Sequence, residues 1–260
     1  MASGKREAGR GKRGLRELRL TAICLVGLFA CSKANDGARG MDSAVSDSSR
    51  KSNVAAQALA PRSESPASHK ILFAGTSLTA GLGLDADSAY PMLIQQKIDS
   101  AGLGFEVINA GVSGETSSGL LDRLDWLERG TFDIMVLETG ANDGLRGIPP
   151  TTLKANLESA LDRLRAKRPD VRVLLVQMEA LPNLGPKYAS EFHAVYPTVA
   201  KEKGVTLLPF LLNGVAGRRE LNQSDGVHPN YVGERIVASN VWKSIEPILD
   251  SMARKSASPE

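Results

Sequence analysis

The sequence has few side chains that bind metals or undergo redox chemistry, with two cysteines and three histidines among 260 residues. Both cysteines, Cys24 and Cys31, lie close to the amino terminus, so the rest of the chain can form neither a disulfide nor a catalytic thiol. The three histidines are far apart, and no His-Glu-x-x-His motif is present. These absences exclude a zinc-finger array and an iron–sulfur protein, and they predict that the chain has no metal site.

Charge of one sign is not in large excess, because 32 basic residues face 29 acidic ones, a formal net charge of +3. Residues 1–30 contain seven basic and two acidic residues, whereas residues 69–250 contain 18 basic and 22 acidic residues, a net charge of −4. The basicity therefore belongs to the amino-terminal segment. We expect no nucleic acid partner, since the remaining chain is slightly acidic.

No long hydrophobic run accompanies the basic segment. Leu20–Ala30 carries no charge, but as a helix it would span only about 16 Å, roughly half of a bilayer's hydrocarbon core. A basic segment, a short apolar run and a small residue at its end are typical of a secretory signal, which we predict over residues 1–30.

The end of this signal, Leu-Phe-Ala-Cys at residues 28–31, resembles a bacterial lipoprotein signal. The resemblance implies that Cys31 is lipidated and becomes the new amino terminus, and Ser32 favours outer-membrane anchoring. Phe29 departs from the small or branched residue usual at that place, so ordinary signal cleavage stays open. The sequence thus predicts an exported, periplasmic protein with a membrane tether through Cys31.

The segment after the signal differs in composition from the rest of the chain. Residues 31–68 are rich in serine, alanine, asparagine and glycine and bury too little apolar surface to offset their ordering entropy, so we predict a flexible tether. Residues 251–260 are predicted to be a flexible tail. Residues 69–250 remain, enough for one folded domain.

Within residues 69–250, short apolar runs alternate with longer segments of helical periodicity, which is typical of an α/β fold. We predict a three-layer α/β/α sandwich around a five-stranded parallel sheet, flavodoxin-like in kind. The predicted strands are Lys70–Ala74, Phe105–Asn109, Phe132–Leu137, Val171–Gln177 and Val205–Leu208. The predicted helices are Tyr90–Ala101, a segment with an apolar stripe from Leu153 to Leu164, and a carboxy-terminal segment with a stripe from Val232 to Ile245.

Small-residue turns follow the first three predicted strands at Gly75–Leu78, Gly111–Glu115 and Gly140–Asp143, and a fourth motif, Ser224–Pro229, precedes the last helix. Ligands of open parallel sheets bind beyond the carboxyl ends of the strands, where these turns are expected to lie. The sequence has no phosphate-loop ending, no complete Gly-x-Gly-x-x-Gly after the first strand and no Gly-x-Ser-x-Gly elbow. Nucleotide-binding loops and the standard α/β-hydrolase site are therefore disfavoured.

The order Gly-x-Ser-Leu, Ser-Gly-Glu-Thr, Gly-x-Asn-Asp and Asp-Gly-x-His-Pro resembles the SGNH (GDSL-type) hydrolase family. The stretches that resemble its bacterial arylesterase and periplasmic thioesterase/lysophospholipase branch most closely are Ala110–Ser117, Gly140–Gly147 and Leu207–Phe210. One residue departs from the family pattern: Thr76 occupies the place of the aspartate that precedes the serine.

The resemblance implies the role of each site residue. Ser77 would be the nucleophile, His228 the base that activates it, and Asp225 the carboxylate that orients the imidazole. The implied oxyanion hole consists of the backbone N–H groups of Ser77 and Gly114 and the side-chain amide of Asn142. Three further glutamates are predicted to be solvated or to support the site from behind: Glu115, Glu138 and Glu179.

The predicted activity is that of a serine esterase that hydrolyses small-molecule carboxylic esters through an acyl-enzyme. Aryl and short-chain acyl esters are the leading predicted substrates, followed by thioesters and lysophospholipids. No cofactor is expected, because water releases the acyl group. Two alternatives stay open at this stage: deacetylation of a cell-envelope polysaccharide, and a non-catalytic envelope-binding module in which Thr76 marks decay of the site. Nothing in the sequence indicates the oligomeric state.

Overall fold

The computed structural model describes residues 69–257, and within them five parallel strands form one sheet. The strands are β1 (His69–Gly75), β2 (Phe105–Gly111), β3 (Ile134–Leu137), β4 (Arg172–Val176) and β5 (Thr206–Leu208). Their order across the sheet is β2-β1-β3-β4-β5. The five-stranded parallel sheet predicted from the apolar runs is confirmed, and the predicted strand ends differ from the observed ones by at most two residues.

Helices connect the strands and cover the sheet. They are α1 (Ser77–Ala80), α2 (Tyr90–Ser100), α3 (Ser117–Leu127), α4 (Ala141–Arg146), α5 (Pro150–Lys167), α6 (Gly185–Lys203) and α7 (Tyr231–Ala257). The chain moves in one direction across the sheet from β1 to β2 and in the other direction afterwards. Because crossovers between parallel strands are right-handed, α2 lies on one face and α3, α5 and α6 on the other. Helix α7 packs against α2, which completes the predicted three layers.

The core lies between these layers, and both faces of the central strands contribute to it. All four residues of β3 are buried, as parallel strands covered on both faces require. The stripe predicted on α5 is buried at Leu153, Leu157, Leu161 and Leu164.

Helix α6 was not among the helices predicted from the sequence. Its proline at position 197 normally indicates a break, because proline has no N–H to donate to the carbonyl four residues earlier. The structure satisfies that carbonyl from outside the helix, since Gln177 Nε2 donates to the His193 oxygen at 3.2 Å. Burial of Phe192 and Tyr196 holds the helix against the sheet.

The prediction of a flexible tail over residues 251–260 is wrong for most of that segment, because α7 continues to Ala257. Met252 and Ala253 pack against the core, and Ser256 Oγ lies 2.8 Å from Nε2 of His69 at the start of β1. Residues 258–260 lie outside the described residues. So do the predicted signal over residues 1–30, the tether over residues 31–68 and the lipidation site Cys31. Among the helices that are described, none is long and apolar enough to cross a membrane.

Candidate active site

The four sequence motifs meet at the carboxyl edge of the sheet. The first is a tight turn between β1 and α1, in which Thr76 is the residue before the helix and Ser77 its first residue. Gly75 makes this turn possible, since a Cβ atom there would lie 2.0 Å from Thr79 Oγ1 and 2.6 Å from Glu138 Oε2. As the first residue of a helix, Ser77 has a backbone N–H without an intrahelical acceptor.

Ser77, His228 and Asp225 form one hydrogen-bonded chain. Ser77 Oγ lies 2.8 Å from His228 Nε2, and His228 Nδ1 lies 2.7 Å from Asp225 Oδ2. Ser77 is 8% exposed, so most of the residue is shielded from solvent. Ser77 and His228 are 151 positions apart in the chain.

Asp225 is held as a carboxylate by the backbone of its own loop. Its Oδ1 accepts the N–H groups of His228 at 3.0 Å and Val227 at 2.9 Å. These bonds, the one from His228 above all, lower the pKa of Asp225 from 3.8 to about 2. An ionised carboxylate at this place requires a proton on His228 Nδ1, which leaves Nε2 as a proton acceptor that faces the Ser77 hydroxyl.

Gln223, which the sequence did not indicate as a site residue, fixes the loop that holds His228. Gln223 Nε2 donates to the Leu82 oxygen at 2.7 Å and to the Pro229 oxygen at 2.9 Å. The backbone N–H of Gln223 donates to the His228 oxygen at 2.8 Å. Gln223 therefore ties the loop that holds His228 to the loop after α1. No motif could have indicated this, because a glutamine in a loop is ordinarily solvated.

The second and third motifs lie side by side. Gly114 has φ of +78°, a backbone conformation that favours glycine. Asn142 Nδ2 donates to the backbone carbonyl oxygen of Glu115 at 2.9 Å. The amide nitrogen carries a second hydrogen, which this bond leaves available. Arg146 Nη2 donates to the Gly114 oxygen at 2.9 Å. The Gly114 loop is thus held from the α4 side by two side chains.

Two buried carboxylates brace these motifs from behind. Glu115 pairs with Arg123, whose Nη2 lies 2.8 Å from Glu115 Oε2, and the same nitrogen is 3.4 Å from the Gly75 oxygen. Asp143 accepts the backbone N–H of Ser117 at 2.8 Å, which joins α4 to the start of α3. Glu115 and Glu138 were expected to be either solvated or to support the site from behind. They are 8% and 0% exposed, so neither is solvated.

The remaining glutamate of that group, Glu179, has a different environment. Its Oε1 lies 2.7 Å from Nδ1 of His193, and that imidazole is 59% exposed. This pair resembles the Asp225–His228 pair in chemistry, but no serine contact is present on its imidazole among the described residues.

Exposed apolar side chains surround this edge of the sheet. With the exception of Trp126, the large hydrophobic residues that are exposed in the described part of the chain lie in the segments that follow β1, β2, β3 and β4 and at the start of α7. They are Leu82, Val112, Leu145, Leu181, Leu184, Tyr231 and Val232, which we call the apolar rim. A depression of about 510 Å³ at the amino ends of β4 and β5 is lined by Arg165, Arg168 and Lys203 and contains no site residue.

Comparison with known proteins identifies the family. Residues 73–236 match the model of the GDSL-like lipase/acylhydrolase family. The chain is 37% identical to esterase TesA of Pseudomonas aeruginosa over 193 residues, which cover 74% of this chain and 95% of that protein. It is 36% identical to an arylesterase of Vibrio mimicus over 182 residues, which cover 70% of this chain and 90% of the relative.

A solved structure agrees with these relatives. The esterase EstA from Pseudoalteromonas sp., in a crystal structure inhibited by monoethylphosphonate, superimposes with a TM-score of 0.66 at 32% identity, covering 70% of this chain and 99% of EstA. The resemblance drawn from the four motifs is confirmed. The chain belongs to the GDSL-like lipase/acylhydrolase family and is a carboxylic ester hydrolase.

Proposed function

We propose that Ser77 is the nucleophile of this ester hydrolase, that His228 is its general base, and that Asp225 holds the imidazole in the tautomer that can accept a proton. The observation that carries the proposal is the chain of contacts from Ser77 Oγ to His228 Nε2 at 2.8 Å and from His228 Nδ1 to Asp225 at 2.7 Å. A serine hydroxyl is a weak nucleophile at neutral pH and needs a base within hydrogen-bonding distance.

In this mechanism Ser77 Oγ forms a bond to the ester carbonyl carbon while its proton moves to His228 Nε2. The tetrahedral intermediate collapses, the bond to the alcohol or phenol breaks, and the leaving oxygen takes the proton from His228. Water then attacks the acyl-enzyme with the same base, which frees the carboxylic acid and restores Ser77. The ionised Asp225 stabilises the imidazolium that forms in each half of the reaction.

The carbonyl oxygen becomes negatively charged in both half reactions, so donors must face it. We propose that the donors are the backbone N–H groups of Ser77 and Gly114 and the second amide hydrogen of Asn142. The bonds from Asn142 to the Glu115 oxygen and from Arg146 to the Gly114 oxygen support this assignment, because they fix two of the three groups before substrate binds.

The apolar rim supports aryl and acyl esters as substrates. Apolar side chains at the edge of the sheet that carries the nucleophile can bind the apolar part of a small ligand, while a few polar groups orient its reactive bond. The names of the arylesterase and esterase relatives agree with this substrate class. Thioesters and lysophospholipids belong to the same proposal, since each presents an acyl carbonyl beside an apolar chain.

Hydrolysis of p-nitrophenyl acetate tests the proposal with matched variants. Ser77→Ala and His228→Ala are expected to lower kcat by about three orders of magnitude or more. His193→Ala is the control, because His193 also pairs with a carboxylate but has no hydrogen bond to a serine within residues 69–257. A Ser77→Ala enzyme as fast as the unchanged protein would overturn the proposal, as would an equal loss in His193→Ala.

Deacetylation of an envelope polysaccharide is the alternative substrate class. Acetate release from acetylated glycans should be compared with turnover of aryl esters, acyl thioesters and lysophospholipids of increasing acyl length. Turnover of the glycans alone would favour the alternative. A non-catalytic module would not bind a fluorophosphonate covalently, whereas the proposed nucleophile predicts labelling at Ser77 that His228→Ala slows.

Export and anchoring form a separate part of the proposal. We infer from the pattern of residues 1–31 that the protein is exported and that Cys31 carries a lipid, with residues 31–68 as the tether. The mass of the mature amino terminus tests the modification. Cys31→Ala is expected to release the enzyme from membranes with its esterase activity intact, and unchanged partitioning would contradict lipid anchoring.

A further inference from the structure

A polar cluster lies fully buried beneath the turn that carries Ser77. Glu138 follows β3 and is 0% exposed, as are Thr76 and Thr79 on either side of Ser77. Glu138 Oε2 accepts the Thr76 backbone N–H at 2.7 Å and the Thr79 hydroxyl at 2.9 Å, and its Oε1 accepts the Thr76 hydroxyl at 3.0 Å. One carboxyl group therefore holds the residue before Ser77 and the residue two positions after it.

The hydrogen bonds of this cluster have a definite direction. The Thr79 hydroxyl donates its single hydrogen to Glu138 Oε2. The Thr79 oxygen must then accept the hydrogen of the Tyr90 hydroxyl, which lies 3.0 Å away and is also buried. Tyr90 O–H, Thr79 O–H and Glu138 thus form a one-way chain that ends under Ser77.

Tyr90 connects this chain to the other side of the site. Its backbone N–H donates to Oε2 of Glu234 at 2.8 Å. Glu234 lies in the first turn of α7, the helix that begins three residues after His228. The contacts therefore run without a gap from the turn of the nucleophile to the helix that follows the base.

The backbone of β1 packs closely against this cluster. The hypothetical Cβ at position 75 would strike both Thr79 Oγ1 and Glu138 Oε2, so β1 is in close contact with the carboxyl group. Burial raises the pKa of Glu138, and the bonds from Thr76 and Thr79 oppose that rise. A carboxylate in such a place costs free energy, and a neutral residue would fill the volume without that cost.

Thr76 fits this arrangement. The family pattern has an aspartate at this position, which would bring a second carboxyl group next to Glu138. The threonine instead supplies an O–H donor to Glu138 from 3.0 Å. The departure from the family pattern is therefore matched to its buried partner and does not indicate decay of the site.

We propose that Glu138, Thr79 and Tyr90 are positioning residues that fix the Thr76–Ser77 backbone, so that Ser77 Oγ faces His228 and the Ser77 N–H faces the substrate oxygen. The inference rests on the proposed role of Ser77. None of the three touches substrate, so their loss should lower kcat and leave KM nearly unchanged.

Thr79→Val tests the central link, because valine keeps the shape of threonine and removes only the hydroxyl. Thr139→Val is the matched control: Thr139 is also 0% exposed, follows Glu138 directly, and has a hydroxyl with no hydrogen-bond partner among the described residues. Thr79→Ser restores the donor. Each variant is assayed for kcat and KM on p-nitrophenyl acetate, for the rate of fluorophosphonate labelling and for its thermal midpoint.

We expect Thr79→Val to lower kcat and the labelling rate about tenfold, with KM within about twofold of the unchanged protein. Thr79→Ser should regain most of the loss, and Thr139→Val should show none. Tyr90→Phe, which removes only the outer donor, should give a smaller loss of kcat and should add nothing to Thr79→Val. It also keeps the inference testable should Thr79→Val not fold.

Two outcomes are distinguishable. If Ser77→Ala abolishes activity but Thr79→Val and Tyr90→Phe change only the thermal midpoint, the cluster supports the fold alone and the inference is wrong. If Ser77→Ala leaves activity intact, the proposed nucleophile itself is wrong.

Discussion

Replacing Glu234 by glutamine tests whether one buried carboxyl group makes the stability of the fold decrease with pH. Glu234 is 2% exposed in the first turn of α7, and its Oε2 accepts the backbone N–H of Tyr90 at 2.8 Å. Burial raises the pKa of Glu234 to about 8 from an ordinary value of 4.5, although the bond from Tyr90 opposes the rise. Glutamine can accept the same bond with its amide oxygen but does not titrate.

The sign and size of the effect follow from this difference in pKa. Below pH 4.5 the carboxyl group is neutral in both states, so its contribution to stability is fully present. Between that pH and about 8 the unfolded chain ionises while the folded protein keeps the proton, so stability falls by about 1.4 kcal/mol per pH unit. Above about pH 8 the contribution is lost. Over the whole interval the loss amounts to about 4–5 kcal/mol.

Urea unfolding of both proteins across this range measures the effect. The stability of the unchanged protein relative to Glu234→Gln should fall by about 2–3 kcal/mol from about pH 5.5 to about pH 7.5. All other titrating groups cancel in the comparison. Glu191→Gln is the control, because it makes the same chemical change at an exposed glutamate on α6.

Parallel stability curves for the unchanged protein and Glu234→Gln would refute the reasoning. Such a result would mean that water or other hydrogen-bond donors stabilise the ionised Glu234 in the folded protein as well as water does in the unfolded chain. A relative stability that rises with pH would refute it more strongly, because only a lowered pKa has that sign.

Three further predictions concern the site and its supports. Asp225→Asn should lower kcat on p-nitrophenyl acetate by about three orders of magnitude, because an amide does not hold the productive tautomer of His228; a loss below about tenfold would contradict that role. Asn142→Ala should lower kcat about 10²–10³-fold with little change in KM, and a change confined to KM would show that Asn142 binds substrate without stabilising the oxyanion. Gly233→Ala should destabilise the protein by about 1–3 kcal/mol in urea unfolding, since the new Cβ would lie 2.2 Å from the Leu221 oxygen; unchanged stability would mean that α7 shifts freely there.

The strands and the site were predictable for a common physical reason. A strand buried on both faces must be a short apolar run, and β3 and the buried part of β1 show that pattern directly. Parallel strands place the turns that follow them at one edge, so the turns after β1, β2 and β3 could be placed together without knowledge of the pairing. The contact between Ser77 and His228 needed the additional resemblance to a family, because nothing local relates residues so far apart.

Helices were less predictable where a local signal and tertiary packing disagree. Pro197 indicates a break within α6, yet Gln177 of a neighbouring segment satisfies the carbonyl that the proline leaves without a donor. Residues 251–257 include two serines and two basic residues, yet Met252 and Ala253 pack against the core and α7 continues to Ala257. In both cases the deciding contact comes from another part of the chain.

The buried carboxyl groups show where sequence reasoning ends. A glutamate in a sequence indicates a solvated surface, because burial of its charge is unfavourable unless donors are buried with it. For Glu138 the donors come from residues about 60 positions earlier, and for Glu234 the donor is 144 positions away. The two groups differ in the number of donors that surround them. Glu138 accepts bonds from a backbone N–H and two hydroxyls, whereas Glu234 accepts one bond within residues 69–257, from the Tyr90 backbone N–H. Burial raises the pKa of both carboxyl groups. At Glu138 the bonds from Thr76 and Thr79 oppose that rise, whereas at Glu234 the bond from Tyr90 opposes it and the pKa still reaches about 8.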